Sequence, residues 1–329
     1  MPRRYQRDGP AARVALLDDM IRVRRFEEAC AELYASGRIR GFLHLYVGQE
    51  ACAAGVVRAL EAGDALVGNY REHAHALLRG MPMATALAEM MGMAEGCSGG
   101  RGGSMHLFDR ERRLIGGNAI VAAGLPVAAG NALADAMRGE HRVTACVFGD
   151  GAVAEGAFHE SLNLAALWRL PVLFVCENNG YAMGTAVARA LAEPRVTRLA
   201  DRYGMPAESV DGMDAEAVAE AAGRHAAAVR GGAGPAFLEL RTYRFRAHSM
   251  YDPQRYRSAE EVEEHRGRDP IRLLAGRLAA DGVLDEAGED GLRRAAEAEV
   301  ADAVTTAAAG TPEPLEGLYR HLHAEEAGS

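Results

Sequence analysis

Two apolar runs constrain this chain more than anything else in it: residues 143–148, Val-Thr-Ala-Cys-Val-Phe, and residues 172–176, Val-Leu-Phe-Val-Cys. Neither alternates with polar residues, so each reads as a strand covered on both faces. Between them, from about Glu155 to Trp168, Phe158, Leu162, Ala165 and Trp168 fall on one helical face, and Pro171 ends the helix. Strand, helix and strand with short links make a crossover unit, and a crossover requires parallel strands. The expected class is therefore α/β, with a mostly parallel sheet and helices on both faces.

The rest of the chain extends that core. Val14, Leu17, Met20, Ile21, Val23 and Phe26 mark a helix over residues 11–36 that stops near Gly37. Further helices are expected up to Leu60, over 83–91, over 119–137 with small residues throughout, and over 214–230. Residues 96–103 form a glycine-rich loop. Residues 235–243 read as a strand, 244–258 as polar and irregular, and 259–269 as a solvated helix face. From residue 270 the pattern is helical, with breakers at Pro312 and Pro314. With no internal repeat or Pro/Ser-rich linker, the expected organisation is an N-terminal helical arm (1–40), an α/β domain (41–269) and a C-terminal helical extension (270–329).

Composition narrows the partners. A formal net charge of −9 gives no general attraction to nucleic acid or to an anionic membrane. Residues 119–137 are apolar, but Pro126, Asn131 and Asp135 interrupt them, so no membrane span is expected. The five cysteines are scattered without a CxxC pair, which fits a reducing compartment and a cytoplasmic location. The Arg-rich start contains Asp8 and no serine, and reads as a flexible terminus rather than a transit peptide.

Ligands of parallel sheets bind at the carboxyl ends of strands. Asp150, in Gly149-Asp150-Gly151, and Asn179, in Asn178-Asn179-Gly180, directly follow the two apolar strands. A carboxylate and an amide oxygen are too few to trap a metal ion alone. They suit Mg²⁺ arriving with phosphate oxygens, because Mg²⁺ completes its octahedron with substrate phosphates. Gly149 and Gly151 permit close backbone approach, and a following helix N terminus favours negative charge. Separately, each triplet is more often an ordinary turn. Neither a GxxxxGK[ST] loop nor a GxGxxG after a strand is present to offer a rival phosphate site. His73 and His75 form an HxH without further ligands at zinc spacing.

Taken together, the GDG, the NN about thirty positions later and the crossover between them match the thiamine-diphosphate motif. From Ile21 to about Leu274 the chain resembles the α subunit of the decarboxylating component of pyruvate and acetoin dehydrogenase complexes. The resemblance rests on residues 44–50 (HLYVGQE), 70–73 (YREH), 101–106 (RGGSMH), 149–152 (GDGA), 165–168 (AALW), 177–185 (ENNGYAMGT) and 248–253 (HSMYDP). It implies the thiamine-diphosphate-binding fold, with this chain supplying the diphosphate-binding domain. Asp150, Asn179 and the carbonyl of Tyr181 would then bind Mg²⁺. Tyr70, Arg71, Gly151, Ala152 and His248 would contact or organise the diphosphate. Met183 matches the wedge that bends thiamine, and Val121 matches a position whose backbone meets the aminopyrimidine. His44 and His248 become the candidate acid/base residues, since imidazole titrates near neutral pH.

The same resemblance implies what other chains bring. The glutamate that activates the aminopyrimidine lies in a separate domain, so a β subunit would supply it in an α₂β₂ heterotetramer. The acyl group would pass to a lipoyl-bearing dihydrolipoamide acyltransferase. As an oxidoreductase on a 2-oxoacid substrate, pyruvate ranks first; acetoin, favoured by Gly124-Leu125-Pro126 and residues 155–160, ranks second, and a branched-chain 2-oxoacid third. Ala119 replaces a glycine common in that family. A non-catalytic Mg²⁺-phosphate-binding α/β module is the reading from a different class. Residue by residue, Gln49 and Glu50 read as a helix start, Arg71 as an ion pair with Glu72 or another acid, and Ser249 and Ser258 as structural.

Overall fold

The computed structural model describes residues 9–319 and residue 322. Residues 1–8, on which most of the flexible-terminus reading falls, lie outside the described residues, as does nearly all of the chain after Tyr319. Among the described residues eight strands form: β1 (Ala65–Val67), β2 (Leu114–Gly116), β3 (Thr144–Gly149), β4 (Val172–Asn178), β5 (Tyr181–Ala182), β6 (Thr185–Ala186), β7 (Ala207–Asp211) and β8 (Ala236–Arg241). Six of them make one sheet in the order β2-β1-β3-β4-β8-β7, and every neighbouring pair is parallel. The expected α/β class and the βαβ unit are borne out: Gly156–Leu167 is the crossover helix between β3 and β4.

Alternate residues of the central strands serve two different cores. Ala145 and Val147 of β3, with Leu173 and Val175 of β4, face the core that also contains Leu17, Met20 and Phe26 of the long helix Pro10–Ala35. Cys146, Phe148, Phe174 and Cys176 face the opposite core, with Leu125, Phe158 and Leu162 from the helices Gly124–Met137 and Gly156–Leu167. A strand that feeds two cores cannot afford a polar side, which is why both runs are apolar at successive positions. On the first face, the C-terminal helix Glu286–Ala308 packs on Met83–Met90 and on Pro10–Ala35.

One expectation needs correction, and three features were not foreseen. The small-residue helix begins at Gly124, not near residue 119, because Ala122 adopts φ 67 and residues 118–123 turn instead. The C-terminal helical region is split into Pro270–Ala280 and Glu286–Ala308, with Asp285 capping the second. β1, β2 and β7 were not legible as strands. Residues 150–154 form a separate 3₁₀ turn ahead of the crossover helix. The charged stretch is helical over Ala259–Arg266 with only Val262 buried, as a solvated face predicts. No helix among the described residues is long and apolar enough to cross a membrane.

Between β1 and β3 the sheet order reverses: the chain leaves β1 toward β2 on one side and β3 toward β4 on the other. At such a point the loops after adjacent strands diverge and leave a crevice at the carboxyl edge.

Candidate active site

A cavity of about 600 Å³ fills this crevice, a size suited to a cofactor. Its wall comes from segments that follow strand ends: Gly68 to Arg71 after β1, Asn118 to Ala122 after β2, Gly149 to Ala152 at β3, Asn179 to Met183 after β4, and Arg244, His248 and Ser249 after β8. His44 and Gln49 close it from the segment before the helix Glu50–Ala59. All eleven residues singled out from the sequence line this one cavity, including Tyr70, Val121, Ala152, Tyr181 and Met183.

Asp150 and Asn179 meet there. The backbone N–H of Asn179 donates to Asp150 Oδ1 at 3.3 Å. The Asn179 side-chain nitrogen donates to Gln49 Oε1 at 2.9 Å, and its Oδ1 accepts from the Tyr181 N–H at 3.2 Å. Gln49 thereby fixes the orientation of the amide, and the Tyr181 bond turns the chain tightly around its oxygen. Asp150 is 3 % exposed and forms no ion pair among the described residues. Burial raises its pKa to about 6, against the opposing pull of backbone N–H groups and Arg244.

Gly151 shows how closely the chain folds over this edge: an added Cβ would meet the Ala182 Cβ at 2.7 Å. Gly151→Val should therefore push β5 away from the 3₁₀ turn and cost at least tenfold in cofactor half-saturation; isothermal titration checks it. Met183 sits in the β5–β6 turn with φ 55 and is 60 % exposed on the rim.

Positive charge in the cavity wall is buried and held by neutral acceptors. Arg71 donates to the carbonyls of Leu45 at 2.6 Å and His248 at 2.9 Å, not to a carboxylate. Glu72, the ion-pair partner considered from sequence, turns away and accepts from the Leu107 N–H at 2.7 Å. Arg244 is equally buried and donates to the Arg246 carbonyl and the Tyr256 hydroxyl. Burial, then mutual repulsion with Arg244, lowers the Arg71 pKa to about 10. Two buried guanidinium groups without an acid are costly unless an anion joins them.

Two imidazoles share that wall. The His44 ring lies 4.6 Å from the Tyr70 ring and 5.0 Å from that of His248, and Nδ1 of each histidine is buried without a hydrogen-bond partner. Burial, followed by the field of Arg71, lowers the His44 pKa to about 2 and the His248 pKa to about 4. Both rings are therefore neutral at physiological pH. A buried carboxylate and two buried guanidinium groups, none in a salt bridge among the described residues, and two orphaned ring nitrogens fit a ligand carrying both a divalent cation and a diphosphate.

A family model described as dehydrogenase E1 component matches residues 18–315. The chain belongs to the dehydrogenase E1 component family. Curated relatives named pyruvate dehydrogenase E1 component subunit alpha include one from Porphyra purpurea, 41 % identical over 95 % of this chain and 93 % of its own. One from Zymomonas mobilis is 47 % identical over 86 % and 80 %, and one from Rhizobium meliloti 44 % over 92 % and 88 %.

Three cavity residues of this dehydrogenase E1 chain escaped the sequence reading. From sequence, Gln49 reads as a helix start, Arg244 as part of an irregular stretch, and Glu177 only as the first residue of ENNGYAMGT. Glu177 is buried at the end of β4, accepts from the Tyr46 hydroxyl, and lies 3.2 Å from the His75 ring. The HxH pair divides: His75 faces Glu177, whereas His73 bridges Glu27 at 3.0 Å and Ser104 Oγ at 2.8 Å. Cys30 lies beside Glu27 and His73, but both His73 nitrogens are already engaged.

Proposed function

We propose that this chain is the α subunit of a pyruvate dehydrogenase-type decarboxylating component, holding the Mg²⁺-diphosphate half of thiamine diphosphate in the cavity at the β1/β3 edge. The observation that carries this is that a buried carboxylate, Asp150, and two buried guanidinium groups, Arg71 and Arg244, line one cavity with no salt bridge to any of the three among the described residues. Membership of the dehydrogenase E1 component family makes a thiamine-diphosphate-dependent 2-oxoacid dehydrogenase the activity to explain.

In this reading Asp150, the Asn179 side-chain oxygen and the Tyr181 carbonyl hold Mg²⁺, a hard cation suited to three oxygen donors plus phosphate oxygens. Arg71 offers a permanently charged fork to the diphosphate, with Tyr70, Gly151, Ala152 and His248 around it. Met183 on the rim would pack against the cofactor, and the backbone at Val121 would face its aminopyrimidine. The bound cofactor supplies an electron sink for decarboxylation of the oxoacid. His44 and His248, neutral in the free site, accept or return a proton at a substrate oxygen. Neutralisation of Arg71 and Arg244 by diphosphate brings both imidazoles nearer to a working pKa.

The site is completed by a β subunit in an α₂β₂ assembly, with a lipoyl-bearing dihydrolipoamide acyltransferase receiving the acyl group. The cytoplasm is the proposed location, supported by five cysteines that remain unpaired. The test is co-expression with a β subunit, calorimetric titration with Mg²⁺-thiamine diphosphate, and turnover on pyruvate and acetoin with an artificial electron acceptor. Metal-dependent binding and a preference for pyruvate are expected. No binding by the complex would end the cofactor reading, and turnover of acetoin alone would reassign the substrate.

A further inference from the structure

The helix Ala259–Arg266 looks like a solvated face, yet one of its carboxylates is tied to the active site. Glu261 accepts from the Tyr181 hydroxyl at 3.1 Å and from the Tyr243 hydroxyl at 2.8 Å. Its helix neighbours Glu260, Glu263 and Glu264 are exposed. Glu261 forms no ion pair among the described residues; its hydrogen-bond capacity goes to two phenols from two different loops.

Those two loops carry the two halves of the proposed site. Tyr181 opens β5, two residues after Asn179, and its own N–H closes the turn on the Asn179 oxygen. Tyr243 stands two residues past β8, immediately before Arg244 and the strap that bears His248. The Tyr243 ring is stacked on His265 of the same helix at 3.7 Å, and the Arg257 guanidinium lies 5.0 Å from its centroid. Arg257 also donates to the Arg244 carbonyl at 2.6 Å, returning the strap to its own base. Across the gap, the Tyr181 ring packs on Tyr256 of the strap at 5.5 Å, and Gly184 leaves room for Tyr256, whose ring a Cβ there would meet at 3.0 Å.

Resting on the function proposed above, we propose that Glu261 is a positioning residue: a latch that fastens the metal-facing turn at Asn179–Tyr181 to the His248 strap. A weakened latch leaves the turn and the strap less well placed for Mg²⁺-thiamine diphosphate and lowers cofactor affinity. Glu261 touches neither metal nor substrate. Its effect falls on cofactor half-saturation rather than on the chemical step.

The test uses the α/β complex. In Glu261→Gln the calorimetric half-saturation should rise about tenfold, as expected for hydrogen bonds to a charged acceptor. kcat at saturating cofactor should drop far less. Tyr181→Phe, which leaves the helix untouched, should shift half-saturation in the same direction, and the double variant should bind no worse than Glu261→Gln alone. A merely structural role would lower the melting temperature without this split. Half-saturation within twofold of wild type in both single variants would overturn the latch while leaving the proposed function standing. A wild-type complex that takes up no cofactor would overturn both.

Discussion

Asp150→Asn should lose metal-dependent uptake of thiamine diphosphate while making the cofactor-free chain more stable. Outer partners of metal ligands typically account for about 10- to 100-fold in affinity, and loss of a charged ligand should exceed that. The stability effect has the opposite sign because burial, the main influence on Asp150, raises its pKa from 3.8 to about 6. A carboxyl whose folded pKa exceeds its unfolded one favours the native state as the acid. That contribution is complete below about pH 4 and disappears as pH rises through about 6. Above this window the native chain carries a buried anion at a cost of about 3 kcal/mol. The amide keeps the acceptor for the Asn179 N–H and removes the charge. Urea unfolding at pH 8 should show the variant more stable than wild type without ligand, and less stable once Mg²⁺-thiamine diphosphate is added. A variant less stable than wild type at pH 8 without ligand, and undiminished in cofactor binding, would mean that Asp150 is a structural carboxylate.

How much of this was legible follows from chain distance. β3 and β4 announce themselves because both faces are covered, and Asp150 and Asn179 are readable because they directly follow those strands. β1 and β2 have three residues each, too few to show a period. β7 lies at the sheet edge and reads Ala-Glu-Ser-Val-Asp, a sequence whose polar residues hide it. The helix expected from residue 119 fails for a local reason: composition is continuous there, but Ala122 turns left-handed so that residues 118–122 can form the cavity wall. Gln49 was invisible as an orienting group because its partner, Asn179, lies 130 positions away. Arg71 was legible as a phosphate fork only through family resemblance. Its own neighbours suggested Glu72, and nothing local shows that Glu72 is drawn off by the N–H of Leu107.

The two guanidinium groups make a second large and separable prediction. Arg71→Met should raise the half-saturation for thiamine diphosphate by about 10- to 100-fold, since each hydrogen bond from a charged donor contributes about 1.5–3 kcal/mol. It should also change the histidines in the free site. After burial, Arg71 is the leading cause that lowers His44 to about 2 and His248 to about 4. Removing it should move both pKa values upward, His248 measurably so by NMR titration of its ring protons. The sign carries into stability. With the His248 pKa depressed, the native chain binds fewer protons than the unfolded chain between about pH 6.5 and 4, so this group costs stability as pH falls through that range. In Arg71→Met the loss should be smaller, because the folded pKa lies closer to the ordinary 6.5. Arg71 also holds the Leu45 and His248 carbonyls, so Arg71→Lys separates charge from geometry. The lysine should keep His248 near its wild-type pKa yet bind cofactor more weakly, because a single ammonium replaces a fork. If His248 still titrates near 4 in Arg71→Met, the cavity's field does not come from this arginine, and the basis for diphosphate recognition on that wall is lost.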